Sequence, residues 1–249
     1  MLSKEKISSL IKNPIEVLVY DTVTSTNDIA KDLCKKTEKC ILVAAEGQTN
    51  GRGRQGKNFF SPKGSGLYFS IVFNSDSPAF ELTGITCAVG VACARAIKKL
   101  TSLDAKIKWV NDIYIDDKKV CGILVQSVNE RGIVKKLIIG VGINVSTIDF
   151  PEDIKSIAAS LGREVDRNIL AAEITNNISD LIFEDPAKYI CEYKELSNVI
   201  GKDIKYLKDN LWHEAHAVDI DGKGGLVVLE NGEQITLTSG EITVRFPLK

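Results

Sequence analysis

Histidine is scarce in this chain of 249 residues: there are two, His213 and His216. So close together in a β-rich tail, they cannot supply a Ser/His/Asp triad, which excludes hydrolysis of that kind. The stretch His213-Glu214-Ala215-His216 is one residue short of the HExxH helix motif and reads as structural, so no metal site is expected. None of the six cysteines (34, 40, 87, 93, 121 and 191) belongs to a CxxC pair, and several lie in apolar runs such as TCAVGVACA. They are expected to be small buried hydrophobes in a reducing cytoplasm, not disulfides or zinc ligands. No apolar run reaches the ~18 residues of a membrane span. The opening MLSKEKISSLIK reads as a short amphipathic helix without the apolar core of a signal peptide, so a cytoplasmic protein with no membrane partner is expected. Internal repeats and low-complexity tracts are missing too.

Charge of one sign is also missing overall: 32 basic against 33 acidic residues leave a net charge of −1. That balance argues against general coating of nucleic acid. Locally the balance fails. Between Glu46 and Asp76 there is no carboxylate, while Arg52, Arg54, Lys57 and Lys63 all fall inside the window. The first four residues of Gly51-Arg52-Gly53-Arg54-Gln55-Gly56-Lys57 alternate glycine and arginine. Glycines let backbone N–H groups approach an anion, and arginines supply planar bidentate donors for carboxylate or phosphate. The loop is neither a Walker loop nor a dinucleotide fingerprint, because GxxxxGK[ST] is absent and an aromatic, strand-like run follows where a helix is required. A solvated surface loop is the alternative.

What is present has the patterning of an α+β protein. IEVLVYDTV (15–23) reads as a strand, and STNDIAKDLCKK as a capped helix. CILVAAEGQ and GSGLYFSIVF flank the glycine-arginine loop as strands. Residues 78–100 read as one long helix, with Lys98 and Lys99 at the negative end of its dipole. A meander follows: AKIKWV, DIYID, KKVCGILVQSV and IVKKLIIGVGINV, with hairpin turns at Asp116-Asp117-Lys118 and Asn129-Glu130-Arg131-Gly132. Helices over 166–183, capped by Asp166, and 186–197, opening with Pro186, come next. After about residue 198, Asp221-Gly222 and Asn231-Gly232 punctuate short strands, the pattern of a small β-barrel. The expected domains are therefore 1–197 and 198–249.

Two more stretches could carry chemistry. In KWVNDIYIDDKKVCGILVQ, Asn111 and Asp112 can orient a ribose, a metal or a turn. Lys119 enters an apolar strand, where it is either a point charge for an anion or a surface lysine of the turn. In IIGVGINV, glycines within a strand mark close approach of a ligand or of another backbone, with Asn144 beside them.

Taken in order, STN (25–27), GQTNGRGRQGKNFFSP (47–62), GLYFS (66–70), KWVNDIYIDDKKVCGIL (108–124), GVGIN (140–144) and SGEITVR (239–245) resemble the biotin protein ligases. The resemblance covers residues 15–246. It implies a catalytic domain like that of class II aminoacyl-tRNA synthetases, followed by an SH3-like barrel. It also implies an enzyme that joins biotin to ATP as biotinyl-5′-adenylate, releasing pyrophosphate, and passes the biotinyl group to a lysine of a biotin carboxyl carrier domain. By that resemblance Ser25, Thr26, Asn27 and Gln48 hold the biotin ring. Arg52, Gly53 and Arg54 close over its tail as a lid, and Lys119, beside Gly122, contacts the carboxylate and the α-phosphate. Lys119 and Arg54 are the expected catalytic residues. Gly51, Arg54, Lys57, Phe59, Asn111, Asp112, Asn144 and Arg245 serve ATP, which is used with Mg2+. Gln55 stands where many members have arginine, Phe59 where tryptophan is usual, and Val110 where proline is common. The early position of STN implies the monofunctional kind, without specific DNA binding; a homodimer is compatible with it. Rival readings are a lipoate or octanoyl ligase, whose motifs are absent, and an RNA-binding module, against which the net charge speaks.

Overall fold

The computed structural model describes residues 1–249 except 79–81, 209, 239–242 and 246–249; the side chains of 77, 78 and 243–245 are likewise undescribed. Helix α1 (Lys4–Leu10) leads into strand β1 (Ile15–Val23), helix α2 (Thr26–Leu33), strand β2 (Cys40–Gln48) and, after the glycine-arginine loop, strand β3 (Gly66–Pro78). Helix α3 (Leu82–Thr101) precedes strands β4 (Lys106–Lys108), β5 (Asp112–Ile115), β6 (Lys118–Glu130) and β7 (Ile133–Asn144). These make one seven-stranded sheet in the order β1-β2-β3-β7-β6-β5-β4, in which β1 and β2 are parallel and the other neighbours antiparallel. Helices α4 (Arg167–Leu181) and α5 (Ala187–Leu196) follow. The chain ends in a five-stranded antiparallel sheet built from β8 (Asp203–Lys208), β9 (Leu211–Ile220), β10 (Leu226–Glu230), β11 (Glu233–Leu237) and β12 (Thr243–Arg245). The expected α+β class is what the chain adopts.

The sheet divides by strand parity, as a period of two requires. On β3 the odd residues Leu67, Phe69, Ile71 and Phe73 enter the main core with α3 and α4, whereas Val72 belongs to a small second cluster beneath α2. Helix α3 is buried on nearly every side because it lies between the sheet, α4 and α5. Its sequence is accordingly almost free of charge until Lys98, the exception being the exposed Arg95, which pairs with Glu192 of α5. No helix among the described residues is long and apolar enough to cross a membrane.

Some boundaries differ from expectation. Strand β3 continues to Pro78, where a helix was expected, because Ser77 and Pro78 still pair with Val134 and Ile133 after an irregularity at Asn74. The strand expected over 105–110 stops at Lys108. The Asp221-Gly222 turn is a longer loop, Asp221–Gly225, in which Asp221 Oδ1 accepts from the N–H groups of Lys223 and Gly225 (2.8 and 2.7 Å). By contrast, the turns at Asp116-Asp117, Arg131-Gly132 and Asn231-Gly232 take positive φ at both central residues, as two-residue hairpins need. All six cysteines are free; Cys40 is partly buried and Cys191 is exposed on α5, so burial does not account for all of them.

Asp166 caps α4 through bonds to the N–H groups of Asn168 (2.8 Å) and Ile169 (3.4 Å), and also pairs with Lys6 on α1. The Lys6 bond, outweighing partial burial, together with those N–H donors, pulls its pKa down to about 2. A depressed carboxylate stabilises fully above its unfolded value, roughly pH 4, and loses that contribution as pH falls toward 2. Asp166→Ala should therefore cost about 1 kcal/mol at pH 7 in urea unfolding. The gap from wild type should shrink as the titration is repeated below pH 4.

Candidate active site

The cleft lies on the sheet face opposite α3. Along β7, Leu137, Ile139, Val141 and Ile143 enter the main core, so Ile138, Gly140, Gly142 and Asn144 face the other way. Helix α2 covers Ile138. Beyond it the two glycines leave bare backbone, and Gly122 of β6 stands directly opposite Gly142. Neighbours occupy the space that side chains would need. A Cβ on Gly140 would collide with the Asn27 amide oxygen, and one on Gly142 would lie 2.7 Å from the Phe59 ring. At Gly122 it would come within 3.2 Å of both that ring and Lys119 Nζ.

Lys119 reaches this face through a bulge. Ile113 pairs with Cys121 but Tyr114 pairs with Lys119, which leaves Val120 as an extra residue on β6. Val120 and Cys121 both turn into the core, so Lys119 comes to share a face with Gly122, three residues on. Its backbone is clipped to the segment 157–159, donating to Ile157 O (2.8 Å) and accepting from Ala159 N (2.9 Å). Nζ lies 2.6 Å from Asp112 Oδ1 and 6.0 Å from the centre of the Phe59 ring.

One wall of the cleft is a chain of amides and hydroxyls. Gln48 Oε1 accepts from Thr26 N (2.8 Å) and Thr26 Oγ1 (3.2 Å), while its Nε2 donates to Ser61 Oγ (2.8 Å), which in turn donates to Phe59 O. Ser70 Oγ bonds Thr26 Oγ1 at 2.8 Å and also meets Asn27 Oδ1, and Asn27 Nδ2 donates to Gln126 Oε1 at 3.3 Å. Ser25 takes the N-cap position of α2, yet its hydroxyl caps nothing. Among the described residues, buried Ser25 Oγ and Asn144 Oδ1 have no hydrogen-bond partner. An unmet buried polar atom costs about 1–3 kcal/mol, and both residues line the cleft, where a bound molecule would satisfy them.

The glycine-arginine loop is a small hairpin. Gly53 N donates to Lys57 O at 2.7 Å, Arg52 bridges Asn58, and the tip residues Gln55 and Gly56 both take positive φ (54° and 72°). Arg54 turns inward, and its Nη1 donates to Asn111 Oδ1 at 3.1 Å. Burial lowers its pKa from the usual arginine value, against the opposing pull of Asp112 and Tyr193. Arg52 pairs with Asp28 (3.1 Å) and Lys63 with Asp21 (2.6 Å). The window without acids is thus partly neutralised by carboxylates brought from elsewhere in the chain.

Every residue expected to hold biotin or ATP lines this one cleft of about 310 Å³, apart from Gly51 and Arg245. Gly51 lies beneath, where a Cβ would be 2.6 Å from Phe59 O. Arg245 pairs through its backbone with Lys205, and its side chain lies outside the described residues. His213 and His216 are far from this chemistry. They pair with Glu230 (2.9 Å) and Asp203 (2.8 Å) and, three apart on β9, project to opposite faces of their sheet.

The model of the Biotin/lipoate A/B protein ligase family matches residues 19–144. The bifunctional ligase/repressor BirA of Bacillus subtilis is 31% identical over 251 residues, 94% of this chain and 76% of that protein. The chain belongs to the biotin/lipoate A/B protein ligase family. Another relative, a biotin–acetyl-CoA-carboxylase ligase of Mycobacterium tuberculosis, is 25% identical over 89% of this chain and 87% of that one. The biotin protein ligase from Aquifex aeolicus in complex with biotin and ATP superposes with a TM-score of 0.82 at 27% identity, over 95% of this chain and all of that one.

Ser70 and Gln126, which support the cleft wall of this ligase from behind Asn27, carry no mark in the sequence. Each is an ordinary polar residue within a strand, and only the register of β3 and β6 brings it to Asn27. The glycine floor predicts a specific epistasis. Gly140 has no positive φ, and the nearest atoms to an added Cβ all belong to Asn27, so Gly140→Ala should cost about 1–3 kcal/mol in urea unfolding. Adding Asn27→Ala should recover most of that loss.

Proposed function

We propose that this ligase activates biotin with ATP and transfers it to one lysine of a biotin carboxyl carrier domain. A biotin carboxylate oxygen attacks the α-phosphorus, the bond to the bridging oxygen breaks and pyrophosphate leaves. The carrier lysine then attacks the acyl carbon of the adenylate and AMP departs. The observation that supports the assignment of roles is the convergence of three kinds of group in one cleft: a hydroxyl–amide wall (Thr26, Asn27, Gln48), the cations Lys119 and Arg54, and the partners that hold them, Asp112 and Asn111, with Asn144 alongside.

The first step brings two anions together. Fixed cations in a water-poor cleft oppose that repulsion and stabilise the charge that spreads over the phosphoryl oxygens. Lys119, held in readiness by Asp112, exchanges that partner for the substrate carboxylate and the α-phosphate. Arg54 closes the same anionic centre from the hairpin, with Asn111 fixing its guanidinium. The ureido ring of biotin, with donors and an acceptor around an apolar bicycle, suits Ser25, Thr26, Asn27 and Gln48. The Phe59 ring and the bare backbone of Gly122 and Gly142 flank the tail. ATP enters as its magnesium complex, the ion riding on the triphosphate as part of the substrate. Among the described residues no cluster of His, Cys, Asp and Glu gathers that could hold a resident metal.

ATP–pyrophosphate exchange is the test: it should require biotin and be absent with lipoate or octanoate. Lys119→Ala should lower it by on the order of 10²–10³. Exchange independent of biotin would sink the proposal.

A further inference from the structure

Asn111 and Asp112 hold Arg54 and Lys119, and the chain just before them is gripped from behind. Trp109 Nε1 donates to Gly224 O at 2.9 Å, joining the turn to the β9–β10 loop of the second sheet. Tyr193, wholly buried on α5, donates through its hydroxyl to Val110 O at 3.2 Å. Cys87 of α3 packs against the same loop: its buried thiol reaches Gly224 O at 3.9 Å. Four elements far apart in sequence thus meet in one buried cluster of polar groups around two consecutive residues.

The seat of the loop is tight. Gly224 has φ +88°, and a Cβ there would lie 2.8 Å from Cys87 Sγ and 3.3 Å from Gly84 N. Asn198 N donates to Ile107 O at 3.0 Å, fixing the same strand one step earlier. The next residues along the chain are Asn111, bonded to Arg54, and Asp112, paired with Lys119. A shift of this turn would move both cation partners together.

We infer that Tyr193 and the Gly224 loop are positioning residues for the phosphate step, acting through Trp109 and Val110 on Asn111 and Asp112. The inference rests on the function proposed above. Neither residue faces the cleft, so the effect is indirect: the cluster sets where Arg54 and Lys119 stand. A displacement of about 1 Å at a reacting centre can cost up to ~10²-fold in rate. The biotin wall hangs on α2, β2 and β3 and is not gripped by this cluster.

Tyr193→Phe keeps the ring's volume and removes only the hydroxyl. In biotin-dependent ATP–pyrophosphate exchange it should lower kcat/KM for ATP about tenfold, while the Kd for biotin alone, by calorimetry, stays within twofold of wild type. Gly224→Ala, on a different element, should give the same one-sided loss, and it carries the test if Tyr193→Phe does not fold. Wild-type kcat/KM for ATP in either folded variant would overturn the inference. So would a parallel loss of biotin affinity, which marks general loosening instead. A wild-type protein without biotin-dependent exchange would overturn the function itself, and the inference with it.

Discussion

Gly122, Gly140 and Gly142 all present their missing Cβ to the same face of the sheet, and the neighbours of all three occupy the space. Asn27 lies on Gly140, and the Phe59 ring lies across the facing pair Gly122 and Gly142. This close approach to backbone determines how deep the cleft is. It also fits the change of character along α2: Ala30 packs with Ile138 in a small apolar cluster, whereas the first turn lays the polar Asn27 on Gly140, where β7 has no side chain to bury. The sheet supplies a rigid floor, and polar groups stand around it on α2, β2, β3 and the hairpin.

Electrostatics is arranged around the same floor. Lys119 is swung over Gly122 by the extra residue Val120, and Asp112 on the neighbouring strand receives it. Arg54 reaches the cleft from a hairpin whose tip needs two positive φ angles, and it rests on a neutral amide. The cations therefore have partners before any substrate arrives. Those partners are short, exchangeable side chains at the cleft wall, which an incoming carboxylate or phosphate can replace.

Much of this was legible in the sequence, for identifiable reasons. Alternation and turn residues marked the strands, because half-buried strands and two-residue turns each demand particular residue types. The Asp166 cap and the basic end of α3 could be read locally. The glycines of IIGVGINV announced a close approach without saying of what. What could not be read depends on register. The face that Lys119 occupies follows from a bulge defined only by the partner strand, and Ser70 and Gln126 reach Asn27 only when β3 and β6 stand beside α2. Charge misled for the same reason. The acid-free window around Arg52 and Lys63 is compensated by Asp28 and Asp21, which sequence separation hides. Tyr193, 83 residues from Val110, carries no local mark at all.

The central claim is that one cleft brings a carboxylate and an α-phosphate together over the glycine floor, between Lys119 and Arg54. A crystal structure of this chain with biotinyl-5′-adenylate tests it most directly. The account predicts the biotin ring beside Thr26, Asn27 and Gln48, with the acyl phosphate within hydrogen-bonding distance of Lys119 Nζ and Arg54. Lys119 should then have left Asp112. An adenylate bound elsewhere, or Lys119 still paired with Asp112 and remote from the acyl phosphate, would contradict it.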